Sequence, residues 1–162
     1  MGDSVIFKIT KNLRDSLHRQ PITYNGITYE TTAECQRLIT NIGNRYPYIE
    51  VCGPWPQTEW RGNNSVSAKL WYRIEMYENT ISDSFSGDIE SIPITEMMGN
   101  VGADLVMLIM ADITRGGNAI ITRCEMPGYY FTGDPAAPEF VIYTDVCVET
   151  FINQSNPYIT GV

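Results

Sequence analysis

SVSAKLWYRIEMY, residues 65–77, decides the fold, because its apolar and polar side chains alternate almost without a break. A repeat of two residues is typical of a β-strand with one buried side, here about 40 Å long. The apolar face carries Val66, Ala68, Leu70, Tyr72, Ile74 and Met76. The other face sets Trp71 and Tyr77 beside Lys69, Arg73 and Glu75, which suits packing against another surface or an ordinary solvated face with aromatic cross-strand pairs.

The composition predicts one domain that spans residues 1–162, long enough to build a hydrophobic core. The net charge of −8 argues against a nucleic-acid grip, which needs clustered Lys and Arg. The first residues are too polar for a signal peptide, and no apolar run approaches the length of a membrane span. The four cysteines are widely spaced and form no C-x-x-C pair, which predicts reduced, mostly buried thiols in an intracellular protein.

Periodicity and turn signals predict the other elements. We expect a helix over 5–19, a tight hairpin at Asn25-Gly26, and a second helix that opens on the capping box at Thr31 to Glu34 and stops near Gly43. A strand over 48–53 leads into the long strand, and Asn100 caps a third helix over 101–115. Two final strands follow, over 119–126 and 139–152, and the last is apolar on both faces, like a central strand or one whose outer face meets a neighbouring subunit.

The predicted fold is therefore α+β and two-layered: a mostly antiparallel, four-stranded sheet with helices packed on one face, plus the small Asn-Gly β-hairpin. Three long loops, about residues 54–64, 78–100 and 127–138, connect these elements. Gly116-Gly117 is interpreted as a helix stop, because it follows its helix.

The first loop carries Trp55, Trp60 and Arg61. Tryptophans on a loop either fold back on their own hairpin or insert into a partner. Aromatic residues and Arg dominate interface hot spots, which favours the partner.

The second loop belongs to a stretch of one charge sign. No Lys or Arg occurs from residue 74 through residue 114, whereas eight Asp and Glu side chains do. A solvated acidic edge is the simplest interpretation, and a surface past which DNA moves without binding is the alternative.

The sequence contains no set of residues with the types and spacing that a catalytic or metal-binding site requires. His18 is the single histidine and is predicted to be a surface residue, so a zinc site lacks ligands and no cysteine has a dedicated base. Asp145 and Glu149 share a strand face but are about 13 Å apart, too far to act as a pair. We expect no enzyme activity, no catalytic or metal-binding residue, and no cofactor.

The arrangement of several segments resembles the tail terminator, or tail-completion, proteins of long-tailed bacteriophages. The segments are the strand and proline-rich exit YPYIEVCGPWP, the long strand SVSAKLWYRIEMY, the helix NVGADLVMLIMADITRGGNA, the strand ITRCEM, and the closing VETFINQSNPY. They cover roughly residues 46 to 158. The sequence departs from that pattern in its Asn-Gly hairpin and in the length of the loop over 78–100.

The resemblance implies a homohexameric ring at the head-proximal end of a tail. Such a ring caps the tail tube, ends its polymerisation and offers a surface to the neck or connector protein; in contractile tails it also engages the sheath. DNA would pass through without specific binding, and no membrane is involved. The implied location is the virion tail or neck, after assembly in the host cytoplasm.

The resemblance implies a role for each group of candidate residues. Trp55, Trp60 and Arg61 are expected to contact the tube or another partner. The subunit interface is expected to hold Trp71, Arg73, Tyr77, Phe151, Pro157 and Tyr158. The acidic lumen is expected to include Asp83, Asp88 and Glu90.

Three rival functions stay open at the level of the sequence. Another neck ring protein, such as a head-completion or connector-adaptor protein, shares the size, acidity and ring habit. A monomeric ligand-binding α+β module would use the aromatic loops as a pocket. An enzyme with a carboxylate pair is the third.

Overall fold

The computed structural model describes residues 2–24, 27–36, 47–61, 65–78, 97–134, 137–158 and 160. Two α-helices, a π-helical turn and eight strands make up this part of the chain. In chain order they are α1 (Val5–Leu17), β1 (Pro21–Tyr24), β2 (Ile27–Glu30), β3 (Thr32–Cys35), β4 (Tyr48–Arg61), β5 (Ser65–Glu78), the π-helical turn (Met97–Val101), α2 (Gly102–Met110), β6 (Ile121–Cys124), β7 (Gly128–Asp134) and β8 (Ala137–Asn153).

The main sheet has six strands, whereas four were predicted. Its order is β3-β4-β5-β8-β6, and β7 pairs with the first part of β8 on the same side as β6. All pairings are antiparallel except β3 with β4. The α+β class and the mostly antiparallel sheet are confirmed; the two extra strands come from segments predicted to be a helix and a loop.

The long alternating strand is confirmed as β5, which lies between β4 and β8 and pairs with both over most of its length. Its predicted apolar face is buried, from Val66 to Met76, and lies under the helices. α1 covers this face with Val5, Ile9, Leu13 and Leu17. Burying each such side chain contributes about 1.5–3 kcal/mol, which holds β5 in one register.

The first helix and the small hairpin match their predictions closely. Ser4 caps α1, because its hydroxyl accepts a hydrogen bond from the Phe7 amide at 3.2 Å. β1 and β2 form a separate two-stranded antiparallel sheet on either side of Asn25-Gly26. The two turn residues themselves lie outside the described part of the chain.

The predicted second helix is wrong over its first residues, which form β3 parallel to β4. The Thr32 amide donates to the Pro47 carbonyl at 3.0 Å, and the Gln36 amide donates to the Val51 carbonyl at 2.9 Å. The Thr31 hydroxyl, expected to cap a helix, instead donates to the Leu17 carbonyl. Tertiary partners therefore satisfy the groups that a capping box would have used, and residues 37–46 lie outside the described ranges.

Two predicted loops contain strands. Residues 54–61 continue β4, and two prolines are tolerated there because β3 pairs only with the first residues of β4, so the rest of β4 is an edge. Residues 128–134 form β7, which pairs with the part of β8 that β6 does not reach. β8 is confirmed as a central strand.

The predicted third helix is shorter than its sequence pattern and is not capped by Asn100, which lies in the π-helical turn. After α2, the chain is held by the buried Arg115, whose guanidinium donates to the Ile109 carbonyl and to the Thr122 hydroxyl. Gly116 and Gly117 both have positive φ and form the turn that follows.

All four cysteines are free thiols: Cys52 and Cys147 are buried, and Cys35 and Cys124 are half-buried. In the described ranges, no helix combines the length and apolar character that a bilayer crossing requires.

Candidate functional site

The candidate site is the outer face of the main sheet, which we define as the face that points away from α1 and α2. Within the described ranges no helix packs on it. The register of five strands sets its side chains in rows across the sheet. Its principal residues are Glu50, Cys52, Trp55, Lys69, Trp71, Arg73, Glu75, Tyr77, Arg123, Tyr130, Tyr143, Asp145, Cys147 and Glu149.

One end of the outer face holds an acidic cluster, Glu50, Cys52 and Glu75, whose possible ligand atoms all lie within 4.8 Å of one another. Register pairs Glu50 directly with Glu75 across β4 and β5. The Cys52 thiol lies 3.8 Å from Glu50 Oε2 and donates to it. Both carboxylates come from strands that the sequence predicted, but their pairing depends on a register that no local pattern reveals.

Two tyrosines hold the Glu75 carboxylate. The Tyr77 hydroxyl donates to Oε2 at 2.9 Å, and the Tyr130 hydroxyl donates to Oε1 at 3.0 Å. Tyr130 reaches this position from β7, across the intervening strand β8. The described contacts therefore occupy both Glu75 oxygens, and the cluster acts as a hydrogen-bonded framework between β4, β5 and β7.

The electrostatics of the acidic cluster favour protonated neighbours. Burial, followed by the negative charges of Glu75 and Glu50, raises the pKa of the Cys52 thiol to about 12. Burial and the charge of Glu75 raise the pKa of the Tyr130 hydroxyl to about 12 as well. Neither group is a nucleophile or a base near neutral pH, because each keeps its proton.

The centre of the outer face is an ion pair. Arg73 binds Asp145 through two hydrogen bonds, Nε to Oδ1 at 2.8 Å and Nη2 to Oδ2 at 2.9 Å. This bond raises the pKa of Arg73 above its usual range. The guanidinium also lies 4.6 Å from the centre of the Tyr143 ring. That ring crosses the backbone of Gly128, where a Cβ atom would lie 2.7 Å from it, so the glycine makes room for the stack.

Next to the ion pair lies a row of Trp55, Trp71, Cys147 and Arg123 on four successive strands. Trp71 borders a cavity of about 310 Å³ that Lys69, Cys147, Arg123 and Glu149 also line. Arg123 forms an ion pair with Glu149. Within the part of the chain that the structure describes, the Lys69 ammonium makes no ion pair.

The structure distributes the predicted interface residues over two regions. Trp71, Arg73 and Tyr77 lie together on the outer face, and Phe151 lies half-buried further along it, opposite Ser67. Pro157 and Tyr158 lie elsewhere, because the Val5 amide donates to the Pro157 carbonyl and Lys8 Nζ donates to the Tyr158 carbonyl. The closing segment therefore contacts the start of α1, so the predicted set does not form one surface.

The predicted partner-contact residues lie on β4 and not on a loop. Trp55 is 53% exposed on the outer face, beside its cross-strand neighbour Trp71. Trp60 and Arg61 are paired with Val66 and Ser65 in the backbone register. The lumen candidates Asp83, Asp88 and Glu90 lie outside the described residues.

Glu50, Glu75 and Tyr130 were not predicted from the sequence as a linked set, and His18 was predicted to be a surface residue. His18 is half-buried, and its Nδ1 accepts a hydrogen bond from the Ala33 amide at 3.1 Å. The signal for Tyr130 was the aromatic, β-prone run YYFT, which would have identified β7 if it had been weighed as a strand.

Asp145 and Glu149, considered in the sequence as a carboxylate pair, each bind a different arginine.

No protein-family model matches the sequence, and no curated protein matches it.

Proposed function

We propose that this protein is a structural virion component that forms a ring, caps the tail tube of a long-tailed bacteriophage, ends tube polymerisation and joins the tail to the neck. It works through shape and interface complementarity, without catalysis. The partners are further copies of itself, the tail-tube protein and a neck or connector protein.

The observation that carries this proposal is the distal half of the β4–β5 hairpin. From Trp55 to Glu59 every side chain of β4 is exposed, on both faces of the strand. β4 is therefore an open edge of the sheet over these residues, whereas its partner β5 stays buried in the core. An open strand edge that presents an exposed indole is suited to contact with a partner, because the hot spots of protein interfaces are enriched in Trp.

A second support is the open outer face. It carries Trp55, Trp71 and Arg73, residue types that are enriched at the interfaces between proteins. A ring joins its subunits head to tail, so each subunit needs two different contact surfaces. The outer face is one such surface on this chain.

The test is association with tail tubes. The purified protein, alone and with the tail-tube protein, is measured by light scattering and then imaged by negative-stain microscopy. We expect rings of about six copies, or rings at one end of the tubes, together with tubes of limited length. A protein that stays monomeric and leaves tube growth unchanged would overturn the proposal.

Trp55→Ala sharpens that test. Since Trp55 is half exposed, we expect the free energy of unfolding to fall by less than about 1 kcal/mol, whereas tube capping weakens about tenfold or more. Thr58→Ala, on the exposed part of the same strand, is the matched control and should leave capping unchanged. If both variants cap tubes equally well, Trp55 does not contact the tube.

The cavity beside Trp71 favours one second candidate, a monomeric ligand-binding module. Its volume of about 310 Å³ lies at the low end of the range for small-molecule sites. This function predicts a monomer that ignores tail tubes and whose tryptophan fluorescence changes on ligand binding, so the same measurements separate the two candidates.

A further inference from the structure

α2 presents an apolar face to solvent on the side of the molecule opposite the outer face of the sheet. Ala103, Met107 and Ala111 follow one another at spacings of four residues and are all exposed, Met107 to 71%. Asp104, half-buried, stands on the same side of the helix. The buried side of α2 is a different set, Gly102, Leu105 and Ile109. The helix thus has one face in the core and a second apolar face without a cover among the described residues.

The cavity on the outer face has the complementary chemistry. Trp71 forms an apolar aromatic wall of the cavity. Cys147 lines the cavity beside it, and this residue is only 5% exposed. A methionine thioether makes favourable contacts with an aromatic ring, so an indole wall suits a methionine side chain. The volume of about 310 Å³ is at the small end of the range for ligand sites. A protruding side chain, together with the residues next to it, could fill a cavity of this size.

The charges at the two surfaces also match. Lys69 lines the cavity and makes no ion pair in the described part of the chain, whereas the neighbouring Arg123 is already paired with Glu149. Asp104 likewise makes no ion pair with any described residue. Lys69 faces Glu149 across β5 and β8, but Glu149 is bound to Arg123, so a carboxylate carried beside Met107 would give the Lys69 ammonium an ion-pair partner.

We propose that the occupant of the cavity is a second copy of this chain: Met107 on α2 of one copy enters the cavity beside Trp71 of the next, and Asp104 pairs with Lys69. The inference rests on the proposed ring, and it names the surfaces that form it. The two surfaces lie on opposite sides of the two-layer fold. Each contact therefore leaves one free surface of each kind, which is the heterologous association that a closed ring requires.

Disulfide trapping tests the contact directly. In Met107→Cys the new thiol of one copy would lie next to the native Cys147 of its neighbour. Under mild oxidation, in the presence of tail tubes, we expect a ladder of cross-linked species on a non-reducing gel. Met107→Cys combined with Cys147→Ser should lose the ladder. Lys11→Cys places an exposed thiol on α1 in the same helix layer and should give none.

A charge exchange is the second measurement. Asp104→Lys and Lys69→Asp should each weaken self-association about tenfold, and the double variant should restore it to within about threefold. The melting temperature of each monomer is measured alongside, because Asp104 lies in the first turn of α2 and Lys69 faces Glu149 across β5 and β8, so each reversal also costs the monomer some stability. Failure of the double variant to recover would overturn the pairing of these two residues.

The two proposals fail separately. Rings that still form and cap tubes, with no ladder from Met107→Cys, would overturn this interface and leave the proposed function standing. A ladder from a protein that never caps a tube would overturn the proposed function and support the interface. Absence of both self-association and capping would overturn both.

Discussion

At the scale of single residues, Glu75 shows how a carboxylate is held on a sheet face without a helix above it. Tyr77 and Tyr130 donate to its two oxygens, and Glu50 lies opposite on β4. Hydrogen bonds to a charged acceptor are about twice as strong as neutral ones. Because Tyr130 crosses β8 to reach Glu75, one hydroxyl ties together two strands that are not neighbours in the sheet.

The Tyr130 hydroxyl predicts a loss of stability at alkaline pH. Its pKa is raised to about 12 in the folded protein, above the ordinary value of 10.0. Its contribution is complete below about pH 10 and is lost as the pH rises toward about 12, because the unfolded chain releases the proton first. We expect Tyr130→Phe to be about 1 kcal/mol less stable than the parent near neutral pH, and the difference to shrink across this window.

Urea denaturation at a series of pH values measures this difference. Tyr129→Phe is the control, since the Tyr129 side chain is 43% exposed on the other face of β7. This variant removes a hydroxyl from the same strand and leaves the hydrogen bond from Tyr130 to Glu75 in place. A Tyr130→Phe difference that is constant with pH would show that the hydrogen bond to Glu75 does not contribute.

At the scale of elements, the sheet edge at β3 is protected by a side chain. Strand edges expose unpaired amides that recruit other strands. β3 has only four residues, and the Ala33 amide at its edge donates to His18 Nδ1 at 3.1 Å. The single histidine of the chain thus links the end of α1 to the outermost strand.

His18→Ala should cost about 1 kcal/mol and increase aggregation, because it removes the acceptor of the Ala33 amide. His18→Asn is the matched variant, since Asn Oδ1 is attached to Cγ in the same position as His Nδ1. We expect it to recover most of the loss in thermal denaturation and in light scattering after heating. If both variants behave alike, the imidazole contributes through packing and not through this hydrogen bond.

β4 contains a bulge that depends on glycine at position 53. The register between β4 and β5 shifts between Cys52 and Trp55, and Gly53 in the bulge has φ +111°. A Cβ atom there would lie 2.8 Å from the Trp71 carbonyl oxygen. The bulge needs glycine for both its conformation and its space.

Gly53→Ala should therefore destabilise the protein by about 2 kcal/mol, as measured by urea denaturation. It should also weaken tube capping, because the distal part of the hairpin carries Trp55. Gly2→Ala is the control, since no heavy atom lies within 4 Å of a Cβ built there. A loss below about 0.5 kcal/mol in Gly53→Ala would mean that the bulge relaxes without strain.

At the scale of the whole molecule, one core joins the helix layer to the sheet. Side chains from α1, α2 and four of the six main-sheet strands contribute to a single cluster of buried residues. The Thr10 and Tyr72 hydroxyls, 2.9 Å apart, add a buried polar link between α1 and β5. The described part of the chain should therefore unfold as one cooperative unit.

Leu13→Ala tests this cooperativity. Leu13 lies on the core-facing side of α1 and is fully buried, so we expect the free energy of unfolding to fall by about 2–5 kcal/mol. Far-ultraviolet circular dichroism and tryptophan fluorescence should report the same transition, both before and after the substitution. Lys11→Ala, on the exposed side of the same helix, should change the midpoint little. Separate transitions by the two probes would show that the helix layer unfolds on its own.

The sequence by itself determined the elements whose signals are local. The alternation in β5, the spacing of Ile9, Leu13 and Leu17, and the Asn-Gly pair each act within a few residues, and each element is present in the structure. The α+β class and the central place of β8 followed from the same patterns.

Tertiary structure decided what depends on partners distant in the sequence. Thr32–Cys35 became a strand because β4 offered its amides acceptors and His18 took the amide at the edge. Gly128–Asp134 became a strand because part of β8 was left unpaired by β6. The acidic cluster and the cavity beside Trp71 arise from the register between strands, which is fixed by the buried face of the whole sheet and not by any one segment.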